Sequence, residues 1–233
     1  MKVLIIIPAY NEEASIASVV RDVSNQCPGY DYVVINDGSS DQTAQICKEN
    51  GINYISLPIN LGIGGTVQCG YIYAAENGYD VAVQFDGDGQ HNSSYIEKLI
   101  EPLRAGEADL VVGSRFIEKK GFQTSFIRRF GIWFIKQVIR LCCGASVMDT
   151  TSGFRAANKG LIELYAKEYS HDYPEPEAIV AAVLGGYRVK EVAARMNERQ
   201  GGVSSINPLR AAYYMIKVPL SLAIYKMRAQ KPK

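Results

Sequence analysis

The sequence predicts an α/β fold, a mostly parallel sheet with helices on both faces, with amphipathic helices toward the C-terminus. Two observations carry this. Short unbroken apolar runs alternate with helix-length stretches, as strands buried on both faces do. Polar residues of ligand type gather where those runs end, and open parallel sheets bind ligands at the carboxyl ends of their strands.

The elements follow in order. "VLIII" is the first strand, with a helix opening near Glu12. "YDYVVIN" is the second, with a helix from about residue 40 to residue 50. "INYISL" is the third, with a helix over about residues 64–77. "DVAVQF" is the fourth, with a helix over about residues 93–104, and "ADLVVG" is the fifth. After Gly113 the pattern becomes irregular, and we read residues 114–205 as an acceptor half completing one domain begun by 1–113. Residues 206–233 read as a basic amphipathic tail.

The chain has 233 residues, 47% of them hydrophobic. That length buries roughly 70–75% of the unfolded surface, so the core needs no staples. The net charge of +1 is unevenly placed. From Arg195 onward there are eight basic residues and a single acid, Glu198. Such an end favours an anionic partner such as a membrane surface, or simply solubilises the chain. No nucleic-acid partner is expected. Five cysteines without a C-x-x-C form neither a disulfide framework nor a zinc site. A strand beginning at Lys2 leaves no room for a signal peptide, and no run of about 18–20 apolar residues predicts a spanning helix. The expected location is cytoplasmic and peripheral, at the inner face of the membrane.

Three strand ends define the candidate site: "PAYNEE", "NDGSSD" and "FDGDGQH". Side chains at i and i+2 of an extended segment point the same way, so Asp86 and Asp88 are expected to converge, with Gly87 leaving room. Two carboxylates so close call for a cation, and Mg²⁺ or Mn²⁺ suits hard oxygen ligands shared with substrate phosphates. Such an ion clamps a diphosphate and neutralises it as a leaving group. A solvated polar turn is the plainer alternative. "NDGSSD" and "PAYNEE" also read as helix starts, with Ser39, Ser40 or Asn11 as caps. Asp37 goes beyond capping, as an acceptor for a base or ribose. "NLGIGGTVQCG" fails the dinucleotide fingerprint because Val67 stands where its third glycine belongs.

"IIIPAYNEE", "VINDGSSD", "NLGIGG", "VQFDGDGQH", "VVGSRF" and "DTTSGFRA" occur in the order found in family 2 glycosyltransferases. From Lys2 to about Ser205 the chain resembles that family, and most of all the branch that loads sugars onto dolichyl or other polyprenyl phosphates. The resemblance implies a Rossmann-like GT-A fold and inversion at the anomeric carbon. It implies nucleotide-sugar contacts from Pro8, Ala9, Tyr10, Glu12, Asp37, Gly62, Asp86, Gln90 and Arg199. The metal and diphosphate would fall to Asp86, Asp88 and Gln90. Two departures stand out. Asn36 replaces the first acid of the usual acidic pair, and "YPEPE" replaces an aromatic-Gln-x-Glu stretch.

"SFIRRFGIWFIKQVIRLCCG" is amphipathic by helical counting, with Arg129, Lys136 and Arg140 on one face. That suits a membrane interface, or a core helix with a snorkelling edge. In "NPLRAAYYMIKVPLSLAIYKMR", Asn207 caps, Pro208 starts, and Pro219 is expected to kink. Arg210, Lys217, Ser221 and Arg228 form a polar stripe there. A helix this apolar wants lipid, a partner helix or a second copy. Lying in the interface is expected over spanning, because Lys217 falls mid-stretch.

A phosphate acceptor is already anionic at neutral pH and needs guidance rather than a general base. Arg115, Arg128, Arg129 and Arg155 are the candidate acceptor-phosphate residues. Asp149 and Glu177 are the acids for a hydroxyl acceptor, and Asp88, Arg115 and Arg129 complete the catalytic candidates. The expected function is metal-dependent transfer from a UDP- or GDP-linked sugar to a polyprenyl phosphate. The alternatives are transfer to a growing polysaccharide or cell-wall glycan, and a nucleotide-sugar-binding subunit active only with a membrane partner. A small membrane subunit or a homodimer is compatible with the apolar end.

Overall fold

The structure, a computed structural model, describes residues 1–118, 126–197 and 208–229, without the side chains of 126–130, 208–212, 214, 228 and 229. Its elements are β1 (Val3–Ala9), α1 (Ile16–Gln26), β2 (Asp31–Asn36), α2 (Thr43–Glu49), β3 (Tyr54–Ser56), α3 (Gly62–Glu76), β4 (Val81–Gln84), α4 (Ile96–Arg104) and β5 (Leu110–Ser114). Then come α5 (Phe126–Cys143), β6 (Arg155–Asn158), α6 (Lys159–Lys167), α7 (Pro174–Leu184), β7 (Val189–Ala193) and α8 (Pro208–Ala229).

These build one seven-stranded sheet in the order β3-β2-β1-β4-β6-β5-β7. The five expected strands are present, and all pairings are parallel except those of β6, which runs antiparallel to both β4 and β5. The described residues after Gly113 are therefore not irregular. They supply a central strand and an edge strand whose short runs, "RAAN" and "VKEVA", carry too little apolar signal to read as strands.

The strands of β1 alternate between two cores. Leu4 and Ile6 join Val33, Ile35, Tyr71, Ile135, Leu161 and Ile179 on the face covered by α3, α5, α6 and α7. Val3, Ile5 and Ile7 join Val20, Phe85, Leu99 and Ile100 on the face covered by α1 and α4. Period-two alternation explains this, because successive strand side chains point to opposite faces. Gly70 lets α3 lie directly on β1: a Cβ there would stand 2.3 Å from Ile6 Cγ2.

The first two helices start later than expected, at Ile16 and Thr43. The intervening residues are drawn into contacts between the loops. Asn11 adopts φ 55° and accepts from Ser40 N–H at 2.8 Å, while its own N–H donates to Ser39 Oγ. Glu12 N–H donates to Thr43 Oγ1, and Gln42 N–H donates to Glu13.

The C-terminal element is not a free tail. α8 packs on α5 and α7, burying Val218 and Leu222 in the core, and runs through Pro219 as one helix. No described helix is long and apolar enough to cross a membrane.

Candidate active site

The carboxyl ends of β1, β2 and β4 lie side by side, so sheet topology alone gathers the three predicted segments. On β1, Pro8 and Ala9 are buried and act through the backbone. Pro8 C=O accepts from Gly87 N–H and Ala9 C=O from Asp37 N–H. Tyr10 is half exposed above them. Glu12 is buried, and its carboxylate accepts from Ser15 Oγ at 2.7 Å.

Asp37 is also buried, and both its oxygens are engaged: Leu61 N–H donates to one at 2.6 Å and Gly62 N–H to the other at 3.0 Å. It caps the start of α3 from another loop. Asn36 uses both ends of its amide, donating to Ser56 Oγ and accepting from Ser39 Oγ.

The two acids after β4 sit on a turn, because the strand stops at Gln84, so the expected strand pleat does not align them. Asp86 is one-third exposed at its side chain and Asp88 is nearly buried. Asp88 Oδ1 accepts from Gln90 N–H at 3.0 Å. His91 fixes Asp86. Its Nδ1 accepts from Asp86 N–H at 2.9 Å, which leaves the proton on Nε2, 3.5 Å from Asp86 Oδ2. The ring stacks on Phe154 at 4.8 Å and meets the edge of Phe85. Gly153 completes this cradle, for a Cβ there would lie 3.0 Å from Asp86 Oδ2.

The donor set fits a hard divalent ion. It offers carboxylate oxygens at one strand end, and among the described residues no group of three or more His, Cys, Asp or Glu is arranged to hold an ion by itself. A shell completed by substrate phosphates and water is the usual habit of Mg²⁺.

On the acceptor side, Arg115 and Asp149 form a two-pronged ion pair. Arg115 Nε donates to Asp149 Oδ2 at 2.7 Å and Nη2 to Oδ1 at 2.6 Å, with Nη2 also reaching Thr151 Oγ1. Asp149 is 0% exposed and Arg115 12% at the side chain. Burial works against the Arg115 charge, but the Asp149 carboxylate outweighs it and the guanidinium is held more firmly protonated than usual. Asp149 is thus a partner of Arg115 and not a free base. Arg155, expected to hold acceptor phosphate, is fully buried instead. It donates to Ser152 C=O at 2.5 Å and to Glu175 C=O at 3.2 Å, beneath Tyr71, Tyr165 and Tyr169.

Glu177 faces away, accepting from Ser221 Oγ of α8 at 2.7 Å and lining a cavity of about 510 Å³ between α6, α7 and α8. Glu175, two residues earlier, stands in a different environment. Burial raises its pKa, Arg155 and Arg115 pull it down, and Asp86 adds to the rise, so it sits within electrostatic reach of both halves of the site. Sequence reasoning missed Glu175 although helical phase separates it from Glu177 by about 200°. It also missed the supporting roles of His91 and Gly153. Arg199 lies outside the described residues. Arg128 and Arg129 fall on the first turn of α5, and their side chains are outside them too.

A family model described as glycosyl transferase family 2 matches residues 4–164. A UDP-N-acetylglucosamine–dolichyl-phosphate N-acetylglucosaminyltransferase of Methanococcus voltae is 33% identical over 214 residues, covering 82% of this chain and 83% of that protein. A polyprenol monophosphomannose synthase of Mycolicibacterium smegmatis is 28% identical, covering 93% and 85%. Among solved structures, glucosyl-3-phosphoglycerate synthase from Mycobacterium tuberculosis, in complex with Mn²⁺ and UDP-glucose, superposes with a TM-score of 0.72 at 20% identity, covering 100% of this chain and 80% of that one.

Proposed function

The chain belongs to glycosyl transferase family 2 and is a glycosyltransferase of GT-A fold, and from that premise we propose that it moves a sugar from a UDP- or GDP-linked donor to a polyprenyl phosphate. The observation that carries this reading is Arg115. It is a buried cation held rigid by Asp149, close enough to Asp86 for the two charges to act on each other. An acceptor hydroxyl would need a base at that spot, whereas an acceptor phosphate needs a cation.

The donor nucleotide lies along Pro8, Ala9, Tyr10, Glu12 and Gly62, with Asp37 keeping the start of α3 in place. Asp86, Asp88 and Gln90 hold Mg²⁺ or Mn²⁺, which when bound offsets the charge of the departing diphosphate. Arg115, joined by Arg128 and Arg129, brings the acceptor phosphate to the anomeric carbon. An oxygen of that phosphate forms the new bond to carbon, the bond to the donor diphosphate breaks, and its electron pair leaves with the nucleoside diphosphate. In-line geometry inverts the anomeric centre. No proton has to move, because the phosphate enters as an anion. Arg199 is assigned to the donor diphosphate by the family resemblance alone. Arg155 supports this arrangement from below through Ser152 and Glu175.

The lipid substrate places the enzyme at the inner membrane surface. α8 favours this: besides burying Val218 and Leu222 it leaves Ile216, Leu220 and Met227 outward, with Lys217 and Ser221 paired to Asp172 and Glu177. An apolar face left outward in addition to the one packed inward is unlike a soluble surface helix. A small membrane subunit or a second copy would cover the same face.

A second reading keeps a glycan hydroxyl as acceptor with Glu175 as base, favoured by its raised pKa beside Asp86. Purified chain, Mn²⁺, a panel of UDP- and GDP-sugars and farnesyl phosphate form the deciding assay. Lipid-linked sugar should appear, vanish with EDTA, and fall at least about 100-fold in Arg115→Ala, the loss of a charged contact in a desolvated site. Transfer only to a glycan acceptor, abolished by Glu175→Gln and indifferent to Arg115→Ala, would establish the second reading instead.

A further inference from the structure

Glu191 is not among the residues assigned to donor or acceptor. It stands on edge strand β7, opposite Val112 of β5. Its carboxylate accepts from two consecutive backbone groups, Met148 N–H at 2.7 Å on Oε2 and Asp149 N–H at 2.8 Å on Oε1. Asp149 in turn accepts from Arg115 through Nε, Nη2 and the backbone N–H. These bonds occupy Nε and Nη2 of the guanidinium; among the described residues no acceptor takes Nη1.

We propose that Glu191 is a positioning residue for acceptor-phosphate binding. It clamps the Met148–Asp149 backbone so that Asp149 holds Arg115 with Nη1 directed to the phosphate. The idea rests on the reading of Arg115 as the acceptor cation. A carboxylate is the side chain the clamp needs, since it offers two acceptor oxygens to two adjacent donors and carries none itself. Glutamine at 191 would keep one acceptor and set an NH₂ against the second N–H. An NH₂ set against an N–H repels it, and that shifts the segment. Asp149 would then turn, and the fork of Arg115 with it.

The same strand reaches the other side of the site. Beyond Ala193, Met196 bridges to His91, and Asn197 N–H donates to Gln90 C=O. β7 thereby spans from the acceptor cation to the turn of Asp86 and Asp88. The Glu191 clamp acts on the acceptor end alone, so its loss should separate the two substrates.

Calorimetric titration of the full chain with farnesyl phosphate, and separately with UDP plus Mn²⁺, tests this. Glu191→Gln should weaken farnesyl phosphate about tenfold, the effect of one misplaced hydrogen bond to a charged group, and leave UDP within twofold. Glu191→Asp, which keeps both acceptor oxygens, should fall between Glu191→Gln and the wild type. In the Glu191→Gln/Arg115→Ala double variant the Glu191 change should add nothing to Arg115→Ala, as expected when one residue acts through the other. Equal loss of both ligands in Glu191→Gln, or additive effects in the double variant, would overturn the proposal and leave Glu191 a merely structural residue. Wild-type protein that ignores farnesyl phosphate overturns the acceptor reading, and this role with it. Wild-type binding that Glu191→Gln leaves untouched overturns only the role of Glu191.

Discussion

The two sides of the site are held in different ways. On the nucleotide side, amides, hydroxyls, backbone groups and one carboxylate lace one strand end to the next: Asn11 to Ser39 and Ser40, Asn36 to Ser56, and Asp37 to the start of α3. On the acceptor side, charges buried in the protein hold the frame, Arg115 against Asp149 and Arg155 beneath Glu175. Many modest bonds share the load in the first region, whereas one or two strong pairings carry it in the second. A net neutral hydrogen bond contributes about 1 kcal/mol, while breaking a buried ion pair costs about 3–5 kcal/mol.

Substitutions can break or sharpen that contrast. Asp149→Ala has the largest expected effect. It strands the Arg115 charge and should destabilise the fold by about 3–5 kcal/mol in urea unfolding. Gly153→Ala comes next and separates stability from activity. Its methyl group would press on the Asp86 carboxylate. Turnover with nucleotide sugar should fall about 10- to 100-fold, as a small misplacement at the reacting centre does, with little change in the unfolding midpoint. Asp37→Ala is smallest. It frees two N–H groups at the start of α3 and should cost about 1–2 kcal/mol. An Asp37→Ala cost that equals or exceeds that of Asp149→Ala would erase the distinction between the two sides.

The same difference decides what could be read from sequence. The nucleotide side was legible because its residues are contiguous. Each apolar run ends directly in its polar segment, and parallel topology brings the ends of β1, β2 and β4 together. Even there the helix starts shifted, since contacts between loops took residues that local capping would have used. The acceptor side depends on partners far apart in the chain. Arg115 and Asp149 are 34 residues apart, and Asp149 and Glu191 are 42. No local pattern announces such pairs. Arg155 looked like a surface cation in "SGFR" because nothing in that string says that β6 is a central strand. Glu177 was singled out over Glu175 because "YPEPE" was matched to the family stretch by position alone, whereas Pro174 begins a helix and sends the two acids to opposite sides.

The antiparallel wedge of β6 also governs the order of assembly. A ribosome releases β4 and β5 well before residues 155–158, yet those four residues are what joins them. Until they emerge, β4 can pair only with β1 and β5 lacks both of its neighbours, β6 and β7. Completion of the sheet therefore waits for a late insertion, and the halves before and after Gly113 cannot mature as independent units.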